Sequence, residues 1–429
     1  MTTAVPFVPR KSFSPGSTSD DTLLSLDAAI RHALDLAEPV EAKELVPLES
    51  AIGRALADGV DATMDLPPFD AAAMDGYAIK VDALRGEGPW TLPTAERVLA
   101  GEKPGMIADG AAVRIMTGAP VPAGFDTVVM QERVTRNDRS ITITDRPKVG
   151  LNIRLRGEDA RPGDRLLGPG REIGARELAA LSAIGRTTVS VRRRLKVALI
   201  CTGSELIQPG TPLGDGQIYN SNRYALLADL SKPWIDLDDY GALPDDAAQL
   251  ETALTEASLS ADVVITTGGM SVGDADYLPG LFEKLGGCSA AIKVAMKPGK
   301  PLAVGRLSEA IYLGLPGNPV SVFTTFALIG SRTLRRRAGF SDSLPIRVQG
   351  KVNFRLKRRP GRIEFRPASI IGYAAEATPI LSIAEAGFSA RISALAAADG
   401  FAVFPPDLTD LAPGEFCDFI PFTPLVAPR

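Results

Sequence analysis

From residue 195 onward the chain repeats one pattern: an apolar run stopped by glycine or proline, then a helical stretch. "LKVALICTG" opens the series, "ADVVITTGG" continues it, and "SAAIKVAMKPG" and "PLAVGRL" with "AIYLGLPG" supply further strands. Between them, "NSNRYALLADL", "DDAAQLETALTEAS" and "YLPGLFEKLGG" carry helical periodicity, with Asp245 or Asp246 placed to cap the second. "NPVSVFTTFALIGSRTL" closes the series as a helix. Strands that alternate with helices build a parallel sheet through right-handed crossovers. The pattern predicts a doubly wound parallel-sheet domain over residues 190–338.

The flanking sequence has another character. Residues 22–36 read as a helix, and "VPLESAIGRALADGV" as a strand and a short helix. Residues 65–146 are rich in Pro and Gly, with short alternating runs such as "TVVMQERVT" and "SITITD". "GARELAALSAIG" returns to helix, and after "SDSLPIRV" the chain becomes β-rich, with turns at "RRPGR" and "DLAPGE". The expected fold is a multidomain α/β plus β protein. A discontinuous linking α+β domain takes residues 21–60 and 147–189, and a β-rich domain takes 61–146. A small barrel-like β domain takes 345–426, and residues 1–20 form a disordered leader.

Charge and scarcity narrow the function. Forty-seven basic residues against 51 acidic ones give a net charge of -4, which argues against a nucleic-acid binder. No run of about 18 apolar residues is present, so no membrane span is expected. The leader lacks the apolar core of a signal peptide, and a cytoplasmic location is expected. Three separated cysteines and one histidine, His32, leave no zinc-site spacing. His32 lies off the apolar stripe of its helix and reads as a surface residue. Any catalysis must use carboxylates, lysines, hydroxyls, backbone amides or a hard metal.

Ligands of doubly wound domains bind beyond the carboxyl ends of the strands. Three loops leave that edge: "CTGSEL", "TTGGMSVGDADY" and "GLPGNPVS". In the last, Asn318 suits an N-cap and Pro319 the first helical position, which fits an anion site or a plain loop-to-helix junction. "MKPGKP", with Lys293 just upstream, concentrates Lys293, Lys297 and Lys300, as a ligand site or a solvated basic turn. Glu205, Asp245 and Asp276 stand at or near strand ends, and Asp75 and Asp159 lie outside the domain. Amides and lysines hold phosphate, while acids hold a hard cation or orient a polar head group. Neither a G-x-G-x-x-G after a strand nor a P-loop pattern occurs.

Seven phrases in order, "PFDAAAMDGYA", "RIMTGAPVPAGFDTVVMQE", "GEDARPGD", "TGSEL…GQIYNSN", "TTGGMSVGDADY", "KPGKP" and "GLPGNPVS", resemble the molybdopterin molybdenumtransferase family. That is the bacterial MoeA type, related to the gephyrin E domain. The resemblance implies an elongated homodimer of four-domain subunits. It also implies Mg²⁺-dependent insertion of molybdenum from molybdate into adenylylated molybdopterin, with release of AMP. Asp75 and Thr117 of one chain would approach the doubly wound domain of its partner. The family's acids match Asp75, Asp159, Glu205, Asp245 and Asp276, with Mg²⁺ held by some of Glu205, Asp245 and Asp276. Its lysines match Lys293 and Lys297, its last-loop prolines Pro316 and Pro319, and its molybdate-placing serine Ser389. The pterin and its phosphates would lie against Thr202, Gly203, Ser204, Thr267, Gly268, Gly269, Ser271, Gly273, Lys300, Gly317 and Asn318. A molybdopterin adenylyltransferase and molybdoenzyme maturation proteins are the implied partners.

The chain departs from the family pattern at Ala71-Ala72, Ser204, Asn220, Pro244 and Ala390. The first pair removes two hydrogen-bonding groups beside Asp75. A binding or scaffold paralogue of the same fold, and an enzyme acting on another phosphorylated substrate at the same edge, therefore stay open.

Overall fold

The structure is a computed structural model describing residues 23–269, 277–341, 344–383 and 390–423. Two compact units divide the chain. Among the described residues, one comprises 23–40, 194–338 and 344–423, and the other 41–193 with 339–341.

The first unit contains the doubly wound domain. Its six-stranded sheet runs in the order Ile235–Leu243, Leu195–Thr202, Val263–Thr267, Ala310–Leu315, Pro301–Leu307, Cys288–Lys293. Leu195–Thr202 buries every residue except Lys196, and Val263–Thr267 and Ala310–Leu315 bury all of theirs. Such two-sided burial is why these strands read as unbroken apolar runs. Helix Ala247–Ser260 lays Leu250, Ala253, Leu254 and Ala257 into the same core as Ala198, Ile200 and Val264. Its start is fixed by Asp246, whose carboxylate accepts from the Gln249 amide at 2.9 Å. Each leucine buried there contributes about 1.5–3 kcal/mol.

Two features of the sheet differ from the sequence reading. The first four strands are parallel, but Ala310–Leu315 returns antiparallel along Pro301–Leu307, which in turn pairs antiparallel with Cys288–Lys293. The connection between Leu307 and Ala310 is only Ser308-Glu309, with Ser308 at φ 55°. Two residues close a hairpin, whereas a parallel crossover needs a dozen or more. The second difference is the edge strand Ile235–Leu243, which sequence reasoning passed over. Its three aspartates and a glycine hide the strand pattern, because it is only partly buried.

Helix Leu26–Leu36, grouped by sequence with the linking domain, belongs to this first unit. Leu24 bridges Val294, and Arg306 donates from Nη2 to the Leu36 carbonyl at 2.9 Å. His32 is half-buried on that helix. The C-terminal helix runs from Pro319 to Arg337 with a π-helical turn, Phe326–Gly330, in its middle.

The C-terminal domain closes into a barrel. Ile363–Tyr373 pairs with Pro379–Ile383, then Val348–Val352, Phe416–Pro421 and Gly400–Phe404 follow, and Gly400–Phe404 pairs back onto Ile363–Tyr373. Val352, Leu381, Ala402, Phe404 and Phe419 fill it.

The second unit is built around a six-stranded sheet of Thr127–Met130, Gly76–Ile79, Ala112–Ile115, Trp90–Val98, Ser140–Ile143 and Val134–Arg136. Side chains alternate across it. Tyr77 and Ile79 enter one core, and Ala78 enters the other with Val113 and Val128. "TVVMQERVT" is two strands rather than one, split by the 3-10 turn Gln131–Arg133. Antiparallel strands Lys43–Pro47 and Thr188–Arg192 flank helix Ala175–Ala183 in the linking part of this unit.

Candidate functional site

All four parallel strands of the doubly wound sheet end at one cavity of about 880 Å³. This is within the size range of small-molecule sites, and it lies at the strand edge where such folds bind ligands. Thr202, Gly203 and Glu205 reach it from the first strand, and Asp245 from the edge strand. Thr267, Gly268 and Gly269 come from the third, and Pro316, Gly317, Asn318 and Pro319 from the fourth. Ala390 and Ile392 of the C-terminal domain complete the wall.

Glycine is required where these loops touch. Gly268 adopts φ +86°, and a Cβ there would lie 2.5 Å from the backbone oxygen of Thr202. The close approach lets Thr202 donate from Oγ1 to the Thr267 carbonyl at 3.2 Å. At Gly203, φ +148°, a Cβ would lie 2.6 Å from a Glu205 carboxylate oxygen, so that carboxylate folds back over its own loop.

Asp245 is held by the neighbouring loop. The Ser204 amide donates to Asp245 Oδ2 at 3.0 Å, and the Asp245 amide donates to Ser204 Oγ at 3.0 Å. Asp245 Oδ1 has no partner among the described residues. Ser204 itself is exposed and does not line the cavity.

Sequence reasoning missed part of the wall. Ile218, Tyr219, Asn220, Ser221 and Asn222 line it. Asn220 caps helix Ser221–Leu230 by accepting from the Arg223 amide at 3.1 Å. Asn222 donates from Nδ2 to the Gly317 carbonyl at 2.7 Å and so tethers the last loop. The available signal was "YNSN", two amides and a hydroxyl at a strand-to-helix junction. Asn318 occupies its expected N-cap place, yet its side chain makes no capping bond and is exposed.

The expected lysines occupy other positions. Among the described residues, the cavity wall contains Pro301 but not Lys293, Lys297 or Lys300. Lys297 Nζ lies 3.3 Å from Glu364 Oε1, on the C-terminal barrel. Asp276, Ser271, Gly273 and Ser389 lie outside the described residues. Among the described residues, no three acidic, histidine or cysteine side chains gather into a metal-binding group. Among the described residues, Glu205 and Asp245 are the carboxylates in the cavity wall.

In the second unit, strand register builds a separate pair. Gly76 pairs with Ile115, which brings Asp75, just before one strand, beside Thr117, just after the other. Only glycine fits at 76, since a Cβ would lie 2.1 Å from the Val129 carbonyl oxygen. Asp75 Oδ1 accepts from Thr117 Oγ1 and from the Thr117 amide, each at 2.7 Å. These two donors, the hydroxyl first, hold the Asp75 carboxyl below its ordinary value. Asp159 is exposed, and its amide donates to the Leu66 carbonyl at 2.9 Å.

Fold and cavity together define a multidomain α/β protein with a ligand site at the carboxyl edge of a doubly wound sheet. The "MoeA N-terminal region (domain I and II)" matches residues 24–185. The "probable molybdopterin binding domain" matches 198–336, and the "MoeA C-terminal region (domain IV)" matches 349–422. The molybdopterin molybdenumtransferase of Haemophilus influenzae is 36% identical over 413 residues, 94% of this chain and 100% of the relative. Molybdopterin molybdenumtransferase 2 of Mycobacterium tuberculosis is 34% identical over 378 residues, covering 86% of this chain and 92% of the relative. A crystal structure of the molybdopterin biosynthesis MoeA protein from Pyrococcus horikoshii superimposes with a TM-score of 0.79 at 28% identity, covering 94% of this chain and 100% of its own. The chain belongs to the molybdopterin molybdenumtransferase family, enzymes of molybdenum cofactor biosynthesis.

Proposed function

We propose that this protein inserts molybdenum from molybdate into adenylylated molybdopterin and releases AMP. The observation that carries the reading is the cavity, where two carboxylates and three amide- and hydroxyl-bearing loops converge on one space. The loops at 202–205, 267–269 and 316–319 offer backbone donors and hydroxyls to a pterin phosphate. Asn222 holds the last of these loops in place. Ser204 leaves one Asp245 oxygen open toward a ligand or cation.

The residues present fit Mg²⁺. Glu205 and Asp245 are hard oxygen donors, and Mg²⁺ is commonly held by one or two carboxylates with substrate phosphates and water. Asp276 is the third acid proposed for it. When bound, the ion supplies charge that polarises the phosphoanhydride. Lys293, Lys297 and Lys300 are proposed to add positive charge on the phosphate side, and Ser389 to help place the molybdate. We further infer a homodimer in which Asp75 and Thr117 of one protomer serve the site of its partner. What supports this is the preorganised, half-buried carboxylate of Asp75.

The test is to mix the protein with adenylylated molybdopterin, Mg²⁺ and molybdate, and to follow AMP and active cofactor. Release of both is expected, and Asp245→Ala should abolish it. Unimpaired turnover in Asp245→Ala would remove that residue from the mechanism. Binding of the pterin without AMP release would overturn the enzyme reading in favour of a scaffold. A stable monomer in light scattering would sink the shared site.

A further inference from the structure

Glu364 sits on barrel strand Ile363–Tyr373, is 2% exposed, and collects three cations. Arg366 Nε lies 2.8 Å from Oε1, Arg358 Nε 3.1 Å from Oε2, and Lys297 Nζ 3.3 Å from Oε1. The two arginines belong to the barrel. Arg358 also donates to the Leu408 carbonyl at 3.0 Å and to the carbonyls of Pro405 and Arg362. Lys297 alone of the three comes from the doubly wound domain, and its side chain is 48% exposed.

The backbone reinforces this link. Met296–Lys297 pairs in parallel with the barrel strand, Met296 with Ile363 and Lys297 with Glu364. The Ile363 amide donates to the Ala295 carbonyl at 3.0 Å. Two residues on, Gly299 adopts φ +98°, with Thr325 Oγ1 2.4 Å from its would-be Cβ. The turn then enters the cavity wall at Pro301. The basic turn therefore starts on Glu364 and ends at the cavity.

One buried carboxylate gathers three cations. The carboxylate confines the long, flexible stem of the half-exposed Lys297. Burial pushes the Glu364 carboxyl up, but Arg366 and Lys297 outweigh it and hold the group ionised below its usual range.

We propose that Glu364 is a positioning residue for the basic turn at 297–301: it anchors that turn through Lys297 and so couples the C-terminal barrel to anion binding at the cavity, whose wall the turn enters at Pro301. The inference rests on the reading of that cavity as the adenylylated molybdopterin site. Glu364 touches no substrate, and it acts through Lys297.

A double-mutant cycle tests it. Glu364→Gln, Lys297→Met and the double variant are compared with the wild type for KM and kcat of AMP release, and for AMP affinity by calorimetry. Glu364→Gln is expected to raise KM and weaken AMP binding on the order of tenfold, with a smaller change in kcat. In the Lys297→Met background the same change should do nothing further. Equal effects in both backgrounds would show a merely structural carboxylate and overturn the proposal. Should Glu364→Gln not fold, Glu364→Asp, which keeps the buried negative charge and shortens its reach, is held to the same criterion. Wild type that binds AMP with this coupling but never releases it would sink the enzymatic reading and leave the positioning role standing. Wild type that neither binds nor releases AMP would sink both.

Discussion

Ser204 and Asp245 grip each other from both ends, each backbone amide donating to the other's side-chain oxygen at 3.0 Å. The pair ties the loop after the first strand to the loop after the edge strand. A serine can do this because its hydroxyl accepts from an amide without adding a second negative charge beside Asp245. Ser204→Ala removes one acceptor and leaves the Asp245 amide unpaired. Chemical denaturation should show a loss of about 1 kcal/mol. Turnover should fall more steeply, because Asp245 loses its orientation. A variant with wild-type turnover would show that this grip does not set the acid's position.

Glycines 268 and 280 should respond to alanine with opposite signs. Gly268 is at φ +86° and faces the Thr202 carbonyl oxygen at 2.5 Å, so Gly268→Ala should cost about 2 kcal/mol or more and collapse ligand binding. Gly280 lies within helix Tyr277–Lys284 and would place its new methyl in open space. Gly280→Ala should stabilise the protein by about 0.5–1 kcal/mol. Thermal midpoints moving the same way in both would contradict the geometry.

Much of this was legible in the sequence, and the failures have physical causes. Leu195–Thr202 and Val263–Thr267 were readable because two-sided burial leaves almost no polar residues to disguise a strand. Ile235–Leu243 was not, because a half-exposed edge admits Asp236, Asp238 and Asp239. The hairpin at Ser308-Glu309 was hidden by the expectation that every strand in such a series is parallel. At the site, loops rich in glycine announced themselves, since tight backbone approach leaves a compositional mark. Asn222 did not, because a single amide tethering Gly317 depends on a contact 95 residues away. Lys297 was found as a basic residue, but its tie to Glu364 on another domain has no local signature.

The cysteines should separate cleanly by reactivity. Cys288 is exposed, while Cys201 and Cys417 are buried. Burial pushes the Cys201 thiol up and, helped by the Asp418 charge, the Cys417 thiol up to about 12. Thiolate is the reactive form, so both buried groups are protected twice over. A thiol reagent at neutral pH should label one cysteine per native chain, and Cys288→Ser should abolish the labelling. Rapid modification of a second thiol would mean that one of the two cores opens readily.

The Asp75–Thr117 pair predicts a pH dependence whose sign follows from its donors. Two hydrogen bonds to Oδ1, the hydroxyl's first, hold the folded carboxyl below its ordinary value. A depressed carboxyl stabilises the fold at pH above its unfolded value of about 3.9, and that contribution is lost as pH falls through the folded value. Thr117→Val removes the hydroxyl donor but keeps the amide. The Asp75 carboxyl should then titrate higher, part of the way back to its ordinary position, in a carbon-detected NMR titration. Any stability difference between wild type and Thr117→Val that arises from this carboxylate should be full at neutral pH and shrink on acidification. An Asp75 titration unmoved by the substitution would show that the hydroxyl does not govern this carboxylate in solution. If Asp75 does serve the partner's site, Thr117→Val should also lower turnover. Thr117→Ser, which keeps the donor, should restore both the titration and the rate.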